Sequence, residues 1–130
     1  MSWSKSTQNK MLVLEETITG PNATTVYSSE ISEVIPSFNL TNKKIGIYLK
    51  ASAVATDLTV DIYGSYTSGG TKVKLASNVL SGNIGTTSPS FYALDVNAYP
   101  APYYYIAIVS TADNSSNTVD VKVMIPAESQ

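Results

Sequence analysis

Apolar and polar positions alternate with a period of two along most of this chain. Leu58, Val60 and Ile62 interleave with Thr59, Asp61 and Tyr63, the pattern of a strand with one dry face and one wet face. The run halts at Thr67-Ser68-Gly69-Gly70, where paired glycines can take the positive φ of a tight connection. It resumes as Thr71-Lys72-Val73-Lys74-Leu75 with its lysines toward water. Residues 57–75 therefore read as a β-hairpin near the middle of the chain.

The same reading extends in both directions. Residues 11–19, MLVLEETIT, form a strand that leads to a turn at Gly20-Pro21-Asn22. A strand from Thr24 to Ser28 follows, then a short edge strand from Ile31 to Ile35, ended by Pro36, which has no ladder donor. Phe38 and Leu40 tuck beneath the sandwich, and Asn42-Lys43-Lys44 makes a turn. Ile45, Ile47, Leu49 and Ala51 mark the buried face of a strong strand, with Tyr48 and Lys50 outward, and a small linker at 53–56 joins it to the hairpin. Beyond the hairpin, Ser81 to Pro89 is rich in turn-forming residues and reads as the longest mobile loop. SFYALDV at 90–96 is another strand, and Tyr103 to Val109, apolar on both faces, reads as a central one. After a loop at 113–117, Val119, Val121, Val123 and Ile125 point inward from a last strand that ends at Pro126. No stretch carries helical periodicity or a helix capping box. The fold class is all-β, a single antiparallel β-sandwich, jelly-roll-like, of about eight strands. It occupies residues 11–130 behind an N-terminal arm, 1–10, that is polar apart from Met1 and Trp3.

Composition narrows the chemistry. The 130 residues suit one domain with a core of its own. There is no cysteine and no histidine, which removes disulfides, thiolate and imidazole metal ligands, and the Ser-His-Asp triad. All eight basic residues are lysines, so no guanidinium fork is available for phosphate or carboxylate. A net charge of −2 offers no basic footprint for nucleic acid, which is not expected as a direct partner. Charged residues are 14% of the chain, against ~25% in typical soluble domains, so Ser, Thr and Asn must supply the polar surface. The N-terminus lacks the apolar core of a secretion signal, and no apolar run approaches the ~20 residues of a spanning helix, so a soluble protein with no membrane partner is expected.

Three constellations invite chemical readings, each with a blander one beside it. Tyr103-Tyr104-Tyr105, with Tyr99 and Tyr66, could form a platform for sugar rings, or could fill the core and rim of a central strand. Asp113, Asn114, Asn117 and Asp120 place oxygen ligands in one loop, but turns favour Asn and Asp for backbone reasons alone, and no cation, and no other cofactor, is expected. Asp57, Asp61 and Asp95 could pair as glycosidase carboxylates, yet they read as solvated strand-face residues, Asp61 on the wet face of its strand. No catalytic residue is assigned, and the chain is expected not to be an enzyme. The Asn-X-Ser/Thr triplets at Asn22, Asn39 and Asn114 read as chance in a chain this rich in Ser and Thr.

Three blocks carry a resemblance in layout: Asn39-Leu40-Thr41 before KIGIYLKAS, then DLTVDIYGSYTSGGTKVKLAS, then DVNAYPAPYYYIAIVS with TVDVKVMIPA. Together they span roughly residues 38–127, and the Gly64-Ser65 step before a Gly-rich turn and a Lys-bearing strand is part of the pattern. The chain resembles small β-sandwich structural proteins of tailed bacteriophages, the head decoration or cement proteins and fibre modules. The pattern is shared with discoidin-like carbohydrate-binding sandwiches. The resemblance implies a virion protein on the capsid surface, made in the host cytoplasm, bound to the major capsid protein or other virion subunits and often trimeric. A carbohydrate-binding module or fibre tip is the alternative. Exposed apolar residues in segments that a monomer need not order nominate Trp3, Lys5, Lys10, Ile84, Tyr99 and Tyr103 as contacts to capsid or sister subunits.

Overall fold

A computed structural model describes residues 3–32, 44–53 and 57–126. Nine strands follow in order: β1 Ser4–Gln8, β2 Met11–Thr19, β3 Thr25–Tyr27, β4 Lys44–Ala51, β5 Thr59–Ser65, β6 Val73–Ala76, β7 Ser90–Asp95, β8 Tyr103–Val109 and β9 Thr118–Pro126. They form two antiparallel sheets, β1-β2-β9-β4-β7 and β3-β8-β5-β6. The fold is the all-β sandwich that the alternation predicts.

The pairing is nested. β2 pairs with β9, β3 with β8, β4 with β7 and β5 with β6, so the first half of the chain runs alongside the second as one long two-stranded ribbon. Successive pairs alternate between the sheets. Cross-pairs β4·β9 and β5·β8 then close each sheet. This rolled ribbon is a jelly roll, with β1 as an extra outer strand.

Inward positions of both sheets fill the core. Leu14 and Ile18, Ile45, Ile47 and Leu49, and Val119, Val121, Val123 and Ile125 meet Val60, Ile62, Tyr104, Ile106 and Ile108. Each large aliphatic side chain buried this way is worth about 1.5–3 kcal/mol relative to its exposed state. Tyr104 is the one phenol at the centre of this core; its hydroxyl donates to Tyr99 O and accepts from Ala101 N, so a core ring fixes the loop that leads into β8. β8 is internal to its sheet, in agreement with its two apolar faces.

Four expectations are corrected. Ser4–Gln8, expected in an N-terminal arm in front of the sandwich, pairs with β2 as an outer strand. Its two-residue turn puts Asn9 and Lys10 at φ 49° and 66°, the primed hairpin geometry that matches strand twist. The hairpin β5–β6 exists, but a bulge between Ile62 and Tyr63 shifts the register, and Val73 is exposed rather than inward. Asp61 points away from the core yet is buried, paired with Lys74 Nζ at 3.4 Å and accepting the Asn78 N–H at 2.8 Å. The long loop at 81–89 is tied down: Ile84 N–H donates to Leu58 O and Ala51 N–H to Gly85 O. Ile31 forms an isolated bridge to Tyr104. The rest of the expected edge strand to Pro36, Phe38 and Leu40, the turn at Asn42-Lys43 and most of the 53–56 linker lie outside the described residues.

Candidate functional site

The register of the five-stranded sheet sorts its outer face into rows. Ala93, Gly46, Met124, Val13 and Ser6 form one row across β7, β4, β9, β2 and β1. Phe91, Tyr48, Lys122, Glu15 and Ser4 form the next. Lys50, Asp120 and Thr17 form the third. Directly opposed residues on neighbouring strands sit about 5 Å apart, so each row is a line of touching side chains. The face thus grades from apolar to polar over three rows.

Phe91 is 52% exposed and Tyr48 37% exposed. Their rings pack at 4.9 Å between centroids with a 56° tilt. Gly46 gives Phe91 its seat, because a Cβ there would lie 3.2 Å from Phe91 Cε1. On the polar side, Lys122 pairs with Glu15 at 3.4 Å and Thr17 Oγ1 donates to Asp120 at 2.9 Å. Between the aromatic and polar rows lies a depression of about 160 Å³ lined by Tyr48, Leu49, Lys50, Pro89, Asp120 and Lys122. Beside it, sharing Asp120 and Lys122, is a second of about 180 Å³ that adds Glu15 and Thr17. Lys50 makes no ion pair or hydrogen bond among the described residues.

The outer face of the other sheet carries more aromatic residues and is closed. Tyr27 meets Tyr63 edge-on at 5.2 Å and 89°, and Tyr105 at 6.5 Å and 79°. Lys72 Nζ lies over both Tyr27 and Tyr105, 4.9 and 4.6 Å from their centroids. Glu30 clasps the hairpin loop: it accepts Gly69 N–H at 2.9 Å, Ser68 Oγ–H at 2.8 Å and the Tyr105 hydroxyl at 2.7 Å. The Gly69 N–H, ahead of Tyr105, Ser68 and Lys72, holds the Glu30 carboxyl below its ordinary value. Burial first, then Glu30, pushes the Tyr105 phenol up. Sugar-binding platforms present open, coplanar faces; here the rings are perpendicular and a lysine covers two of them. Tyr66, 87% exposed, stands apart on the loop.

The nominated contact residues do not converge. Trp3 folds onto the protein's own surface, packing against the core with its indole N–H on Glu30 O at 2.9 Å. Lys5 and Lys10 are exposed on the outer hairpin. Ile84 is 2% exposed and belongs to the core, so its side chain offers no outer surface. Tyr99 packs against the core and Tyr103 is half-buried. The 113–117 loop is a polar knot: Asn117 Oδ1 accepts from Ser52 Oγ and Ala53 N, and Asn114 Nδ2 donates to Ser110 Oγ. Asp113 caps Ser115. Asp57 accepts from Thr111, Asp61 pairs with Lys74, and Asp95 caps Asn97. Asp57 precedes β5, Asp61 lies on β5 and Asp95 ends β7 in the other sheet, each spent on local structure. Phe91 drew no notice in the sequence. Its parity in SFYALDV was the available signal, since Tyr92, Leu94 and Val96 take the inward positions.

No family model, curated protein or solved structure matches the chain.

Proposed function

We propose that this protein is a non-enzymatic structural subunit of a virion, a decoration or cement protein of a phage head, that works by burying surface against neighbouring subunits. The setting comes from the resemblance in layout. The observation that supports contact as the mode of action is Phe91, a half-exposed ring seated over Gly46 beside Tyr48, next to Ala93 and Met124. Aromatic residues at the centre of a patch are the usual anchors of protein interfaces. Non-catalytic action fits the way Glu16, Glu30, Asp57, Asp61 and Asp113 are each spent on hydrogen bonds or ion pairs that tie local structure.

The test uses phage capsids assembled from a major capsid protein, in co-sedimentation, with light scattering of the free protein alongside. Phe91→Ser and, independently, Ala93→Glu each weaken capsid binding at least about tenfold with an unchanged melting temperature. Binding that survives both substitutions overturns the contact face. A protein that does not co-sediment at all overturns the virion role.

A further inference from the structure

We infer that the open flank of the sandwich between β2 and β3 is a binding site for a small organic amine, with its ammonium on Glu16 and its apolar body between the sheets. This goes beyond the virion reading and does not depend on it.

The site lies where both sheets run out. β1 pairs only with residues 11–15 of β2, so residues 16–19 form an edge of the five-stranded sheet, and β3 is an edge of the other. The chain crosses between the sheets through Gly20, and the arch so formed borders a cavity of about 350 Å³ lined by Glu16, Ile18, Thr19, Gly20, Val26 and Tyr27. Ile18 is buried and Val26 packs against the core, which makes them the inner wall. Thr19 and Tyr27, of opposite parity and both exposed, stand at the rim. The volume falls at the low end of the ~300–1,000 Å³ of small-molecule sites, room for an aliphatic chain or one ring.

Glu16 makes this cavity more than a packing gap. By alternation it points inward with Leu14 and Ile18, and it is 6% exposed. Ser29 donates its N–H to Oε1 at 2.9 Å and its hydroxyl to Oε2 at 2.6 Å, which fixes the carboxylate but brings no opposite charge. Glu16 has no ion pair among the described residues, although buried charges are ordinarily paired. It is also the only charged residue of the six that line the cavity, so the missing complement is a cation. Lys5, across from Leu14 on β1, has an interaction of its own; Lys72 lies over the rings of Tyr27 and Tyr105; Lys10 sits in the turn at the opposite end of β2.

The geometry of the carboxylate narrows the cation. Each oxygen already accepts one bond, so the paired positions that a guanidinium fork needs are half taken, whereas a compact ammonium with three rotatable donors can use what is left. A metal ion needs several oxygen ligands, and Ile18 and Val26 supply none. A charged head beside apolar walls describes an alkylammonium.

The experiment is an NMR titration of the full chain at neutral pH with hexylammonium, ethylammonium, hexanol, hexanoate and Nα-acetyl-lysine methylamide. Hexylammonium should shift the amides of Ile18, Gly20, Val26 and Ser29, with a Kd of about 1 mM. Ethylammonium, with less apolar area to bury, should bind at least about fivefold more weakly. Glu16→Gln should weaken hexylammonium binding at least about tenfold. Thr19→Lys, a change at an exposed rim position that leaves the core untouched, sets a rival cation beside Glu16 and should weaken binding at least about fivefold. Ala93→Glu, on the outer face of the five-stranded sheet, should leave it unchanged, which separates this site from the subunit-contact reading. The proposal is overturned if hexylammonium does not shift these amides, if hexanol or hexanoate binds as well, or if either pocket substitution leaves binding intact. It is also overturned if the lysine amide binds more tightly than hexylammonium, which would assign the site to a lysine of another chain.

Discussion

The two outer faces of this sandwich use aromatic residues in opposite ways. On the four-stranded sheet, Tyr27, Tyr63 and Tyr105 meet edge to face, Lys72 covers two of the rings, and Glu30 ties Tyr105 to the hairpin loop. On the five-stranded sheet, Phe91 and Tyr48 stand half-exposed beside Lys50, which has no partner among the described residues. A count of aromatic side chains would select the first face, yet its rings and charges are spent on one another. The second face has fewer, and leaves them available. What distinguishes the two faces is how far the fold satisfies the side chains on each.

The largest effect that would break this contrast lies at Tyr105, 6% exposed despite pointing outward. Tyr105→Ala removes a buried ring and leaves Glu30 short of a donor. The expected loss is about 3 kcal/mol in a urea melt. A loss below about 1 kcal/mol would mean that the closed face is as loosely held as the open one.

Glu30 comes next, and pH reads it. Its folded pKa is lowered, chiefly by the Gly69 N–H, so its contribution is complete above the ordinary value of 4.5 and is lost as pH falls through the depressed folded value. Glu30→Gln should cost about 1–2 kcal/mol at pH 7, with the gap to the parent protein closing below pH 4.5. A gap that stays constant through the acid limb would remove the charge from the explanation. Lys72→Ala is smaller, about 0.5–1 kcal/mol for an exposed cation over aromatic rings. It should also make Tyr27 and Tyr105 more accessible to a quencher, converting part of the closed face into an open one.

These features were unequally legible in the sequence. Period-two alternation carried β4, β8 and β9 onto their correct faces, because a strand half-buried in a sandwich must alternate. β1 escaped: SKSTQ is polar on both faces, and the only local signal was the two-residue turn at Asn9-Lys10. Asp61 was given the right direction and the wrong solvation, since its cover comes from Lys74 on the next strand and the turn at Asn78. Ile84 hid in a Ser/Gly-rich loop because its burial depends on a return to Leu58. The rows of the candidate site depend on pairings such as Tyr48 with Lys122, which no local pattern encodes. Side-chain direction is local information; cross-strand company is not.

The smallest expected effect tests the open face most directly, at Gly46. A methyl there would lie 3.2 Å from Phe91 Cε1, tight enough that the ring must give by a few tenths of an ångström. In a packed core such a collision would cost about 1–3 kcal/mol. Here the obstructing ring is half in solvent and can swing away, and alanine relieves the entropic penalty of glycine in a strand. Gly46→Ala should therefore change stability by no more than about 0.5 kcal/mol, while altering the near-ultraviolet circular dichroism of the Phe91–Tyr48 pair. If it destabilised the protein as a core substitution does, Phe91 would be a packing residue, and the difference between the two faces would be one of degree.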